Sequence, residues 1–430
     1  MSTPQWGLSL SLALLTVSTV DGEVYHRDAS HLWNRLHRAL VVRTSRDGAE
    51  FGYDATDPLL VNNSKHLLSG ESHTKLLQVL YEFNDSEGSE KLGGPLRRAV
   101  LQHDLWSVFD WVAARREGSR WVGYDASPER KALLRSLSQA ISKLALPADE
   151  ILELKGNYEN ATASGEYPPG YDARSPATPF LPRDLLLPNS SWVELDTANH
   201  GGAPVHTIDF GGRSSFRVFV RLPTGRESTK TFLDQLRGVD RRVLTDVAFI
   251  PFDELEEPLP RFPLNTQFAL VRQMMVIDDS KRIQETQITQ SIQLRVHVGR
   301  TAFNSEDAEH EAKLKRAGQD FFEFALRRAE LFAGKHGGLH PADDKSRTIL
   351  SPLRRHGSEP DPISGKSGAE ILKRAPHTLM QCVHCHRDPN VYSFESFVQQ
   401  MQRPPWISTA KQWKQSQFSW GLYCGLVGDN

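Results

Sequence analysis

The chain has 430 residues, enough for more than one large core, and its 51 Lys and Arg against 53 Asp and Glu give a formal charge of −2. Charges so evenly mixed leave no basic stripe for nucleic acid and no footprint for an anionic membrane surface. Three cysteines exclude a disulfide-stapled scaffold.

Residues 1–22 hold an apolar run, 8–17, of signal-peptide length and too short to span a bilayer, followed by the polar Asp21, Gly22 and Glu23. They are expected to be an export signal, with the mature chain starting between Thr19 and Glu23, although residues 1–7 carry no Lys or Arg. A buried N-terminal element is the other reading. No other run reaches membrane-spanning length.

Residues 23–155 have helical periodicity and are expected to form a helical N-terminal domain. Leu32, Leu36, Ala39 and Leu40 share one face, as do Leu76, Leu77, Leu80 and Phe83, and Leu101, Leu105, Val108 and Val112. The clearest helix starts at Ser127 as N-cap with Pro128 in the first turn and stops before Pro147. His31, His37, His66, His73 and His103 in this region read as surface or core residues rather than ligands.

Residues 156–189 are rich in Pro, Gly, Ser and Asn and read as an extended connection whose aromatic residues rest against a surface. Residues 190–300 alternate with period two: Phe216, Val218, Val220 and Leu222 point one way, and Ile292, Leu294, Val296 and Val298 repeat the pattern. An antiparallel sheet or sandwich follows, with a hairpin turn at Gly211 and Gly212 and another turn at Asp278, Asp279 and Ser280. Met274 and Met275 read as core residues of a strand.

A helix is expected within 301–335, capped by Ser305, with Leu314, Ala317, Phe321 and Ala325 on its apolar face and Gly334 at its end. Residues 336–368 read as a polar loop. This loop and the stretch after it hold His336, His340, His356, His377, His384 and His386, a solvated cluster or a source of metal ligands. Residues 369–430 read as a small, mostly helical C-terminal segment in which Ser408 caps a final helix. Trp406, Trp413 and Trp420, with Phe394 and Phe397, either cover a cofactor or dock the tail on the body. The fold class is therefore α+β. The nucleotide-binding signatures G-x-G-x-x-G and G-x-x-x-x-G-K-[ST], the zinc-protease motif H-E-x-x-H and the serine-hydrolase motif G-x-S-x-G are missing.

One motif carries most of the chemistry. Cys382, Cys385 and His386 form C-x-x-C-H, the attachment pattern of c-type haem. One helical turn places both sulfurs on the same side of the backbone, where they can add to two vinyl groups of one porphyrin while the adjacent imidazole lies beneath the iron. With three Cys and 16 His, chance would produce the pattern roughly once in a thousand such chains. Two alternatives stay open: a Cys₃His zinc site made of Cys382, Cys385, Cys424 and a histidine, and a plain disulfide. Cys424 by itself reads as a small buried hydrophobe.

The motif and its surroundings, Cys382, Val383, His384, Cys385, His386, Arg387, Asp388 and Pro389, resemble the c-type cytochromes, in particular single-motif segments of large exported bacterial proteins. The resemblance covers about a tenth of the chain and transfers only to Cys382, Cys385 and His386. It implies covalent haem c, His386 as proximal iron ligand, a periplasmic or otherwise exported location, one-electron chemistry and a redox partner protein. The distal side is open to Met401, Met380, a loop histidine or no protein ligand. Met401, just before Pro404 and Pro405, is the leading candidate. The surrounding sequence matches neither the small cytochromes, in which the motif opens the domain, nor the four-helix class, in which it closes it, so no cytochrome fold is assigned.

Overall fold

A computed structural model describes residues 24–44, 50–51, 67–86, 94–113, 127–195, 203, 206–207, 210–237, 262–298, 319–342 and 409–428. The N-terminal part is helical: α1 (Leu32–Val41), α2 (Gly70–Asp85), α3 (Gly94–Ala113), α4 (Pro128–Lys143), α5 (Ala148–Leu152) and α6 (Tyr158–Ala163), with a small ribbon of β1 (Arg43–Thr44) and β2 (Glu50–Phe51) after α1. The start of α4 follows its sequence. Ser127 caps it by accepting from the Arg130 N–H at 3.3 Å, Pro128 occupies the first turn where no N–H is needed, and Leu144 ends it. In α1, Trp33, Leu36, Leu40 and Val41 are buried, and in α2 so are Leu76, Val79, Leu80 and Phe83.

α3 departs from one-sided amphipathicity. From Ala99 to Ala113 every residue except Trp111 is buried, so this helix runs through the middle of the layer with α4 beside it. The second half of the fold is one six-stranded antiparallel sheet in sequential order: β3 (Val193–Glu194), β4 (Ser214–Arg221), β5 (Gln267–Ile277), β6 (Ile283–His297), β7 (Gln319–Leu326) and β8 (Leu339–Pro341). Period-two alternation gives it two apolar faces. Phe219, Val271, Ile292, Leu294, Val296, Phe322 and Phe324 pack beneath the connection, whose Phe180, Leu181 and Leu185 join Tyr158 and Trp192 as the cover. On the other face Phe216, Val218, Val220 and Phe268 meet Leu233 of α7 (Arg226–Arg237) and Phe262. The Pro-rich stretch thus lies along the sheet, as its aromatic residues imply.

The β5–β6 hairpin is longer than the sheet it belongs to. Its far end, with Met274, Met275, Val276, Ile277, Ile283 and Ile288, enters the helical core beside α3 and α4. The expected turn is present: Asp278 accepts from the Arg282 N–H (2.7 Å) and the Gln284 amide (2.6 Å), and Lys281 takes the left-handed conformation at φ 60°. Helical and β parts therefore share one apolar cluster. Among the described residues no helix is long and apolar enough to cross a membrane.

Four expectations are corrected. Residues 319–326 are strand β7 rather than part of a helix. Phe321 and Ala325 fit a helical spacing, but Phe322, Phe324 and Leu326 alternate equally well, and pairing with β6 from Ser291↔Ala325 to His297↔Gln319 decides the matter. Residues 301–318 lie outside the described residues, and among the described residues of 319–335 the helix is α8 (Arg328–Phe332), followed by Gly334 at φ 69°. Gly211 and Gly212, at φ 61° and 68°, do not join two strands: they lead from a helical turn at Thr207 into β4. Within 336–368, residues 336–341 are a 3₁₀ turn (His336–Gly338) followed by β8. The C-terminal helix is two: α9 (Ala410–Gln415), capped by Thr409 rather than Ser408, and α10 (Phe418–Gly428).

Gln102 of α3 ties the hairpin to the helices. Its amide oxygen accepts from the Ile277 N–H at 2.8 Å, and its NH₂ donates to the carbonyls of Ile277 (2.8 Å) and Ile141 (3.2 Å), so it satisfies the end of β5 as a neighbouring strand would. Gln102→Ala should lower stability by about 1–3 kcal/mol, the cost of leaving a buried backbone group unpaired, read as a lower urea midpoint at unchanged slope.

Candidate functional site

Cys382, Cys385, His386 and Met401 lie outside the described residues, as do Met380, His356, His377, His384 and Trp406. The structure describes the two ends between which that stretch runs. On one side the chain leaves the sheet at β8, paired to β7 through Leu326↔Leu339 and Ala325↔His340. On the other, Thr409 caps α9, which lies against β4 and reaches α3 through Lys414, and α10 packs on α3 and α4.

The tail's own residues are largely committed to docking. Trp420 packs against Trp106 of α3 (ring centroids 6.2 Å) and stacks on Tyr423 (5.7 Å), which meets Phe109 edge-on. For Trp420 this resolves the two readings of the tail in favour of attachment to the body. Cys424 lies half-buried on α10 against the helical core, and burial pushes its thiol above the ordinary range. Of the loop histidines, His336 has Nδ1 2.8 Å from Glu166 Oε2 and sits at φ 48°, and His340 Nδ1 lies 3.9 Å from Glu330 Oε2. Both face carboxylates near the β8 edge. Met274 and Met275 are fully buried core residues, as expected. No group of three or more His, Cys, Asp or Glu side chains suited to a metal ion occurs among the described residues.

Within those residues the chemically dense region is the polar set on α3. Asp104 is buried and accepts from Arg328 through both oxygens (2.8 and 2.6 Å) and from the Tyr25 hydroxyl (2.6 Å). His37 lies beside it, with its ring 5.5 Å from that of Tyr25. Burial and the Arg328 charge push the His37 pKa down to about 4, against the pull of Asp104.

His103 is held at both ring nitrogens, Nδ1 at the Met275 carbonyl (2.9 Å) and Nε2 at the Gln290 amide nitrogen (2.9 Å). Gln290 Oε1 accepts from Ser214 Oγ–H (2.8 Å), and Ser214 Oγ accepts from Arg272 Nε–H (2.9 Å). With every donor running the same way, the chain fixes a neutral imidazole protonated on Nδ1. His103 is thereby a structural residue, as its sequence context suggests.

Asp110, one turn from the end of α3, accepts from Arg213 at 2.7 Å through one oxygen and from Lys414 of α9 through the other. Arg213 also donates to Ser107 Oγ (3.1 Å), and Lys414 to Ser419 Oγ (3.0 Å) while lying over the Trp106 ring. Both cations are 1% exposed. Burial above all, opposed by Asp110 and reinforced by Arg213, brings the Lys414 pKa from the ordinary 10.5 down to about 8.

Sequence reading missed these groups. A signal was present: Val100 and Trp106 add apolar residues away from the stripe of Leu101, Leu105, Val108 and Val112, and Phe109 widens that stripe, which leaves no polar face and requires Gln102, His103, Asp104 and Asp110 to be buried. Family models, curated proteins and solved structures contain no match to this chain.

The His37 shift has a consequence for stability. A base whose folded pKa is depressed binds fewer protons folded than unfolded, so stability falls as pH drops from about 6.5 through about 4. His37→Gln should flatten that window, with a difference from wild type on the order of 3 kcal/mol across it, measured as urea midpoints at pH 7 and pH 4.

Proposed function

We propose that this chain is an exported mono-haem c-type cytochrome-like protein, with haem c held through Cys382 and Cys385, His386 as proximal iron ligand, and one-electron transfer or haem-based redox chemistry as its activity. The observation that carries the reading is the motif itself: two thiols at the spacing of one helical turn with an imidazole immediately after. The donor set fits the group. Each thiol adds its S–H across one vinyl C=C to leave a thioether, which needs no oxidant. Haem held in this way supplies a one-electron iron couple whose potential depends on the distal ligand and on burial.

In sequence the motif lies between the paired strand β8 and the helices α9 and α10. The half-buried position of Cys424 on α10 against the helical core supports a packing role for that residue. Exchange of single electrons calls for a redox partner protein.

The protein, produced in a host with haem-attachment machinery and exported, should retain haem through denaturing electrophoresis and give a peroxidase-active band that Cys382→Ala with Cys385→Ala abolishes. A colourless protein with one equivalent of zinc would favour instead the zinc site of Cys382, Cys385, Cys424 and a histidine. Met401 as distal ligand predicts a six-coordinate low-spin spectrum with a near-infrared sulfur-to-iron band that disappears in Met401→Ala. Immediate binding of carbon monoxide by the reduced wild-type protein would show an open distal side, and with it ligand binding or catalysis in place of simple transfer.

A further inference from the structure

The first turn of α1 is capped by an imidazole. His31 stands at the N-cap, a position that favours serine, threonine, aspartate or asparagine, and its Nδ1 accepts from the Trp33 N–H at 3.3 Å. Five residues earlier the Nδ1 of His26 accepts from the Asp28 N–H at 3.1 Å. The two rings stack on each other, with centroids 4.1 Å apart and planes 29° from parallel. A ring nitrogen that accepts from an N–H carries no hydrogen of its own, so each neutral imidazole holds its hydrogen on Nε2.

The loop between the rings is wound around one side chain that does not titrate. Asn34 Oδ1 accepts from the N–H groups of Tyr25 (2.8 Å) and His26 (3.2 Å), and its Nδ2 donates to the carbonyls of His26 (2.6 Å) and Asp28 (2.8 Å). Just ahead of the pair, the Tyr25 ring lies against Trp33, His37 and Phe332, with centroids 6.0, 5.5 and 5.4 Å away. His26 is exposed and His31 half-buried, so protons from solvent reach the pair.

We propose that His26 and His31 form an acid-operated cap: protonation turns Nδ1 from acceptor to donor, breaks both N–H···Nδ1 bonds and loosens residues 26–33 while the helices beneath stay packed. Three physical costs oppose the protonated cap. Two donors then face each other at each Nδ1, an imidazolium at a helix N-terminus opposes the macrodipole, and a second proton places like charges on stacked rings.

Among the described residues the charges that act on His31 are His26 and Asp28. Burial pushes the His31 pKa below the ordinary 6.5, His26 acts in the same direction, and Asp28 opposes both. Asp28 accepts from the Ser30 N–H (2.9 Å) and hydroxyl (2.7 Å), and those bonds hold its own pKa low. Further along α1, Arg35 is engaged by Glu82 of α2 through two bonds (2.7 and 2.8 Å), and Asp104 and Arg328 act on His37. A base whose folded pKa is depressed binds fewer protons capped than uncapped. The cap is therefore at full strength above the ordinary histidine value and weakens as pH falls below it.

The test is amide hydrogen exchange of the full chain at pH 7.5 and pH 5, corrected for the intrinsic pH dependence of exchange and read as protection of residues 26–33. The reference is His26→Asn with His31→Asn, which keeps an acceptor for the Asp28 and Trp33 N–H groups but cannot titrate. His37 is present in both proteins, so their difference isolates the stacked pair. Between the two pH values wild type should lose roughly fivefold more protection in 26–33 than the double variant, the factor that one N-cap bond is worth, with its circular dichroism unchanged. Asp28→Asn keeps the acceptor for Ser30 and removes the charge that offsets the imidazolium, so it should deepen the loss at pH 5. Equal losses in wild type and the double variant, a shallower loss in Asp28→Asn, or collapse of the wild-type circular dichroism at pH 5 would each overturn the proposal. If the double variant does not accumulate, Asp28→Asn against wild type decides it.

Discussion

The fold depends on a helix with no side to spare. α3 is buried almost throughout its second half, yet it carries Gln102, His103, Asp104, Ser107 and Asp110. A polar group withdrawn from water costs free energy unless a partner replaces the water, so each of these residues demands a specific neighbour. Gln102 finds the backbone of Ile277, His103 the Met275 carbonyl and Gln290, Asp104 finds Tyr25 and Arg328, and Ser107 and Asp110 find Arg213. Those partners come from the segment before α1 (Tyr25), the start of β4, the β5–β6 hairpin and the helix after β7. One helix thereby specifies the placement of nearly every other element, where an all-apolar helix would have tolerated rotation and slippage.

The sheet is arranged to meet that helix. β5 and β6 outgrow their neighbours, and the register shifts near Gln273 let the hairpin end turn into the helical layer. There Met274 to Ile277 join the core of α3 and α4, so helical and β parts are one packed body rather than two domains joined by a linker. The Pro-rich connection between them is correspondingly a cover for the sheet: Phe180, Leu181 and Leu185 fill its face, and the Tyr158 hydroxyl donates to the Pro182 carbonyl. Proline lowers the entropy lost when an irregular segment is fixed in this way.

In sequence, Cys382, Cys385 and His386 lie between the short edge strand β8, which includes His340, and the helices α9 and α10, the first of which is tied to α3 through Lys414 and Asp110. A buried carboxylate between two cations is a costly means of attachment compared with an apolar contact of the same size.

What the sequence by itself determined was local. Ser127 with Pro128 dictates a helix start because capping needs only the next three residues. The alternation of Phe216, Val218 and Val220 dictates a strand because side chains alternate on any extended backbone, and Asp278 dictates a turn through its own neighbours. Cys382, Cys385 and His386 likewise complete their motif within five residues, with no help from distant partners. The tertiary structure alone decided whatever required a partner from elsewhere. Residues 319–326 carry both helical and strand spacing, and became β7 because β6 offered an open edge. Asp104 could not be matched to Arg328, nor Asp110 to Arg213 and Lys414, since periodicity records which side of a helix is apolar and nothing about which distant cation will arrive there. Burial converts such a residue from an ordinary surface charge into a group that must be paired, and burial is a property of the whole packed chain.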